Sequence, residues 1–169
     1  MGAFIAKPLV VLLTGLLSLA AYAPSTPSIA DFKANILIVD SKAEIEKWVL
    51  ASPETKAASG RKRSVEVGER VYLPAVVTDF KPEHEDVDLS GDFQLIAPNG
   101  NVVMEKKQAF GAQHFDLRSP SVIVLNPVLD AVFDASDTPG RYTVRIVITD
   151  RQKGTVATAE ERFSLVLSN

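Results

Sequence analysis

The run Asp137-Thr-Pro-Gly140-Arg-Tyr142-Thr-Val-Arg-Ile-Val-Ile-Thr-Asp150, continued by Arg151-Gln-Lys-Gly154 and then by Thr155 to Leu167, decides the fold class of this 169-residue chain. Tyr142, Val144, Ile146 and Ile148 share one parity, and Thr143, Arg145 and Thr149 hold the other. A period of two places the first set on a buried face and the second towards solvent. The β-branched content suits a pleated, half-buried surface. Phe163, Leu165 and Leu167 repeat the pattern, with Arg162 and Ser164 opposite. Between the two runs, Asp150 to Gly154 is polar and ends in the residue type that supplies a positive φ to short hairpin loops. Thr138-Pro139-Gly140 is a turn signal ahead of the first strand. The stretch therefore predicts turn, strand, turn, strand.

The pattern Asp-x-Pro-Gly-x-Tyr, opening a strand that ends in Asp, resembles the turn and penultimate strand of many bacterial immunoglobulin-like domains. In such domains a tyrosine at this corner anchors the turn through its hydroxyl. Here Asp137 and Tyr142 stand one residue further apart than in the usual Asp-x-Gly-x-Tyr form, which leaves that hydrogen bond open. The resemblance speaks to fold and not to function.

Working outward, the length suits one domain plus a processing segment. A hydrophobic share of 46% is ample for a core, and ten Pro with nine Gly favour many turns. The N-terminus reads as a signal peptide over 1–20: Lys7 near the start, an apolar run from Leu9 to Leu19 too short for a membrane span, then small residues. Cleavage is expected at Ser18-Leu19-Ala20 or one residue later, because Pro24 follows Ala21-Tyr22-Ala23 too closely. No Cys follows the apolar run, which argues against a lipoprotein. Cleavage removes only Lys7, leaving 17 basic and 21 acidic side chains and a net charge of −4. That balance argues against nucleic-acid binding. The expected compartment is periplasmic or extracellular, with no stable membrane span after cleavage. The chain has no Cys, so its stability must come from the core, and thiol chemistry is excluded.

Residues 21–33 read as a flexible spacer and 34–169 as the folded domain. Asn35-Ile-Leu-Ile-Val39 is a nearly continuous apolar strand of the kind covered on both faces. Ser41-x-x-Glu44 has capping-box spacing and starts a helix whose stripe is Ile45, Trp48 and Val49 and which Pro53 ends. Trp48 is read as pinning the helix to the body of the domain. Arg61-Lys62-Arg63 reads as a solvated loop. Ser64–Val67 and Arg70–Val77 are predicted strands, the second an edge or bulged strand because Pro74 cannot donate to a ladder. Pro98-Asn99-Gly100-Asn101, between Phe93, Leu95 and Val102, Met104, is a strong hairpin signal. Lys106 to Ser119 reads as a long loop, Val122–Leu125 as a short strand, and Leu129, Ala131 and Phe133 as the inward set of the next. Eight or nine short strands with one early helix predict an all-β, immunoglobulin-like antiparallel β-sandwich.

Three site readings follow from the residues. The acidic loop 83–92 contains Asp86-x-Asp88-x-Ser90-Gly-Asp92, the first half of a calcium loop, so Asp86, Asp88, Ser90 and Asp92 are candidate ligands. The twelfth position is Ala97 where an EF-hand has Glu, and Val87 and Leu89 also fit the buried parity of a strand. His84 and His114, with Met104, are the candidates for a borderline copper or zinc site. No nucleophile elbow, His-Glu-x-x-His or phosphate loop is present, so an envelope hydrolase is the weakest reading and would rest on carboxylates brought together only by the fold.

Over most of the chain, the order of parts resembles a group of exported proteobacterial proteins of uncharacterised function with an immunoglobulin-like domain. The matching residues are Asp40, Trp48, Asp92-Phe93, Pro98-Asn99-Gly100 and Pro139-Gly140-Arg141-Tyr142. The resemblance implies no activity. The expected function is binding, without a cofactor, of another envelope protein. The contact is expected through the edge containing Pro74 or the loop from Lys106 to Ser119, with Phe110 and Phe115 as the partner-binding residues.

Overall fold

The structure is a computed structural model that describes residues 28–50, 61–80, 86–114 and 122–167, with the backbone alone for residues 28, 29, 48–50, 86, 113 and 114. The signal peptide, the first part of the spacer, Pro53, His84 and Phe115 lie outside the described residues, as do the side chains of Trp48, Asp86 and His114. Among the described residues the chain is mostly strand, in several antiparallel sheets, with one short helix.

The largest sheet is built on the predicted hairpin. Strand β10 (Gly140–Asp150) pairs antiparallel with β11 (Thr155–Val166), from Gly140 opposite Leu165 to Asp150 opposite Thr155. Gly154 closes the turn at φ +67, its amide donating to the Asp150 carbonyl at 2.8 Å. The Asp150 carboxylate is buried and accepts the amides of Gln152 at 2.9 Å and Lys153 at 3.2 Å. On its other side β10 pairs with β6 (Asp86–Ile96), which pairs in turn with β7 (Val102–His114). The β6–β7 turn is the predicted one: the Gly100 amide donates to the Ala97 carbonyl at 2.9 Å, and Gly100 takes φ +85. On the far edge, β1 (Ser28–Ile29) and β3 (Ser64–Glu66) both run parallel to β11, one at its start and one at its end.

Three further segments lie side by side. β5 (Ala75–Thr78) sits between β2 (Lys33–Ile36) and β8 (Val122–Val124), and β4 (Arg70–Leu73) pairs with β9 (Leu129–Val132). The break between β4 and β5 is Pro74. Its carbonyl accepts the Leu37 amide at 3.1 Å, and Val39 bridges Tyr72. Residues 70–78 therefore have neighbours on both sides, so the expectation of an edge at Pro74 is corrected. The missing amide is absorbed by a break in a central strand.

Both groups of strands contribute to one core. Val144, Ile146 and Ile148 pack with Phe93 and Leu95 from the large sheet and with Ile36, Ile38, Leu73, Val77 and Leu125 from the other strands. Tyr142 stacks on Phe163 at 5.5 Å, and Phe133 lies against both rings at 5.3 and 5.4 Å. Each such buried side chain contributes about 1.5–3 kcal/mol of apolar burial. Burial holds the Tyr142 hydroxyl above the usual phenol range, with Asp137 adding to the effect and the Thr138 backbone amide opposing it. Tyr142 is buried at this corner despite the extra residue in the turn.

The apolar run 36–39 is covered on both faces, as its lack of alternation predicts. Ile36 and Ile38 enter the main core; Leu37 and Val39 join Ile45 and Val76 in a second cluster. Ile45 comes from the helix α1 (Lys42–Leu50), whose first turn is capped by the Ser41 hydroxyl accepting the Glu44 amide at 3.4 Å. The spacer ends earlier than expected. Ile29 is in β1, Phe32 is buried against Phe80 at 5.7 Å, and Lys33 opens β2, because Phe32 has a core position to fill.

The expected loop from Lys106 is instead the continuation of β7. Its alternation is masked by a bulge: Gln108 takes φ +50, and the pairing with β6 shifts register between Gly91 and Phe93. Gly91 lies under this bulge, where an added Cβ would stand 2.6 Å from Ile148 Cδ1 and 3.1 Å from Phe110 Cδ2. Gly91→Val is expected to destabilise the fold by about 1–3 kcal/mol through overpacking, read as a lower midpoint in urea unfolding with an unchanged slope.

Candidate functional site

The candidate calcium ligands lie along an extended strand, and those whose side chains are described, Asp88, Ser90 and Asp92, are spread along it. Val87 and Leu89 point into the core, so β6 shows the buried alternation that competes with a metal loop. From Asp88 to Asp92 the chain advances about 13 Å at strand rise, whereas a calcium ion needs its oxygens within about 2.6 Å of one point. Asp92 is engaged otherwise, accepting the Gln108 amide at 2.9 Å and Lys107 Nζ at 3.1 Å. Among the described residues no group of three or more acidic or histidine side chains is placed to hold an ion.

Asp88, Ser90 and Phe110 do meet at one place. With Gln108, Asn126 and Arg151 they line a cleft of about 520 Å³. Arg151 reaches Asp88 Oδ1 at 3.7 Å, and that oxygen is buried without a hydrogen bond. Ser90 is buried at the cleft wall. Phe110 is 3% exposed, its ring edge-on to Phe93 at 6.2 Å. It is a core residue on β7, which corrects the expectation that it presents itself to a partner.

The exposed apolar surface lies further back on the same strand. Val102, Val103 and Met104 are 50%, 55% and 45% exposed, consecutive, and on the outermost strand of the large sheet. At Gly111 the outer edge of β7 is satisfied: Gly111 and Asn126 exchange backbone hydrogen bonds of 2.7 and 3.1 Å. Among the described residues nothing pairs with that edge between Val102 and Phe110. β9 shows the same lack on the side away from β4. Between the two edges lies an apolar groove of about 250 Å³, with Leu73, Phe93 and Leu95 in its floor, Met104 and Lys106 on one wall and Leu129 on the other.

The register explains which side chains face this groove. Met104 stands opposite Leu95 and Lys106 opposite Phe93, so both share the face that elsewhere is core. Glu105 stands opposite Gln94 on the solvent face and accepts its amide at 3.0 Å. Lys107 and Gln94 hold Glu105 below the usual carboxylate range, and Glu105 with Asp92 holds Lys107 above the usual amine range. On the opposite wall Asp130 is paired with Arg70. Lys106 has no ion-pair partner among the described residues.

The basic run is partly consumed by the fold. Arg61 pairs with Glu161 at 3.0 Å and Lys62 with Glu69, while the Arg63 carbonyl accepts the Ser164 amide at 2.9 Å. Val102, Val103, Met104 and Lys106 were missed as a site. Their signal is present in the sequence: three apolar residues in a row shortly after a hairpin turn, then Glu105 and two lysines, is the composition of a strand edge.

No family model matches this chain, and no curated protein matches it in sequence. Similar solved structures include a DNA-bound alkylpurine DNA glycosylase from Pseudomonas fluorescens (14% identity, TM-score 0.44, 80% of this chain and 30% of that one). A family 123 glycoside hydrolase from Clostridium perfringens that acts on glycolipid glycans matches at 9% identity and TM-score 0.47, over 82% of this chain and 28% of that one. The chain thus spans less than a third of these two. An immunoglobulin-like protein from Pseudomonas aeruginosa matches at 11% identity and TM-score 0.33, over 81% of this chain and 98% of that one.

The spread of the acidic residues along β6 predicts that calcium leaves thermal unfolding of the chain from Ala21 unchanged. A site filled at 100 times its dissociation constant would add about 2.7 kcal/mol. A calcium-dependent rise in Tm that disappears in the Asp88→Ala, Asp92→Ala double variant would contradict the geometry.

Proposed function

We propose that this chain is a periplasmic or secreted immunoglobulin-like β-sandwich that works by holding another envelope protein and not by catalysis. The fold part of this reading rests on three features: a strand running parallel to the end of the last strand, a buried tyrosine at the corner before β10, and one core filled from two groups of strands. The compartment rests on the leader-like N-terminus. The observation that carries the binding function is the edge of β7 left unpaired among the described residues, where Val102, Val103 and Met104 are exposed and Met104 lines an apolar groove. The exposed apolar stretch Val102–Met104 precedes the charged residues and the bulge of β7, and an exposed apolar strand edge is a template for pairing.

The test is site-directed cross-linking in the envelope. The Val103→Glu, Met104→Ser double variant is expected to fold with stability within about 0.5 kcal/mol of the parent, since both side chains are substantially exposed. It is expected to lose recovery of the cross-linked partner, while Asn99→Ser, in the neighbouring turn, retains it. Undiminished recovery with the double variant would remove the β7 edge as the binding surface.

A further inference from the structure

The groove beside β7 has a shape and a charge that specify its occupant. β7 and the segment running from β8 into β9 are antiparallel and hydrogen-bonded at Gly111 and Asn126. Towards Met104 and Ala131 no such pairing continues, and a channel opens between two strand edges. Its floor is apolar, from Leu73, Phe93 and Leu95. One wall carries main-chain groups from Val102 to Lys106, and the other those of β9, that have no pairing partner among the described residues. Neighbouring strands stand about 4.8 Å apart, so one extended chain is the element that satisfies such an edge while laying alternate side chains on the floor.

The charge narrows the choice. Lys106 is on the core-side face of β7, lines the groove, and has no carboxylate partner among the described residues. Glu105 also borders the groove, but its carboxylate is already engaged by Lys107 and Gln94. The acidic group on the facing wall, Asp130, is taken by Arg70. An incoming strand therefore meets an apolar position beside Met104 and, two residues along, an ammonium lacking a counter-charge.

We infer that the groove between β7 and β9 binds an extended acidic-apolar peptide segment by strand addition to Val102–Lys106, with an apolar side chain against Met104 and Leu95 and a carboxylate at i+2 on Lys106. This rests on the reading of the β7 edge as the binding surface and names the chemistry of the partner. A second copy of this chain fits less well, because the β7 carboxylate it offers, Glu105, is on the wrong face and already paired.

The experiment uses three synthetic nine-residue peptides against the chain from Ala21. The first alternates Thr and Val with one Glu in place of a central Val. The second carries Lys in place of that Glu. The third keeps the Glu and has the two flanking amides N-methylated. Affinity is read by fluorescence anisotropy at low ionic strength, and amide exchange at Val102–Lys106 locates the contact. The expected result is binding of the Glu peptide at least tenfold tighter than the Lys peptide. Binding of the N-methylated peptide is expected to be lost, and the amides of β7 to be protected. Lys106→Glu, an exposed substitution that leaves the fold intact, is expected to invert the preference. Equal binding of all three peptides, no binding, or no inversion would overturn the proposal. So would a concentration-dependent dimer by sedimentation that Val103→Lys dissolves, which would assign the edge to a second copy. If the peptides fail while the cross-linked partner still depends on Val103 and Met104, the binding surface stands and strand addition falls.

Discussion

The stack of Tyr142 on Phe163, closed by Phe133, is the contact on which the rest of the chain depends. Tyr142 and Phe163 are cross-strand partners near one end of the β10–β11 hairpin, and Phe133 arrives from the segment just after β9. The cluster therefore does two things. It fixes the register of the longest hairpin, and it ties the large sheet to the shorter strands. A slip of one residue would turn either Tyr142 with Val144, Ile146 and Ile148, or Phe163 with Leu165, out to solvent, so the register has no near competitor. β6 is then set against β10, and β7 against β6, each inheriting the first alignment.

The parts of the fold that were legible are those encoded within a few residues. The two hairpins, the cap of α1 and the doubly covered run 36–39 each follow from a turn residue, a capping hydroxyl or a parity read locally. What was not legible depends on partners distant in sequence. Pro74 carries the same signature at an edge and at a break in a central strand, and only the positions of Leu37 and Leu125 distinguish the two. Asp86-x-Asp88-x-Ser90 is at once the start of a calcium loop and a strand with two buried apolar residues between its polar ones. The pairing of β6 on both sides decides for the strand.

β7 shows how a bulge defeats a period of two. Met104, Lys106 and Phe110 keep one parity, since the bulge at Gln108 inserts two residues between the pairs Phe93–Lys106 and Gly91–Phe110, but it buries the adjacent Ala109 as well and so breaks the alternation. Phe110 therefore reads as a loop aromatic, while the residues that meet solvent read as ordinary strand. The same bulge divides the strand by task. Beyond it, β7 is sealed against Asn126 and contributes Phe110 to the core. Before it, nothing among the described residues pairs with the outer side of the strand, and Lys106 lies on the face opposite to the paired Glu105 and Lys107. The candidate site was thus written in the sequence as composition but not as position.

The parallel pairing of β1 and β3 with β11 sets an order of events. Ser28 meets Thr155 and Ser64 meets Ser164, partners a hundred or more residues apart in the chain. These contacts close long loops, so their entropic cost falls on chain that has little else to hold it there. Until β11 exists, residues 28–29 and 64–66 have no ladder to join. The molecule is in this sense locked from its last strand backwards: a nascent chain can form β6 and β7, but its N-terminal segments wait for its final turn.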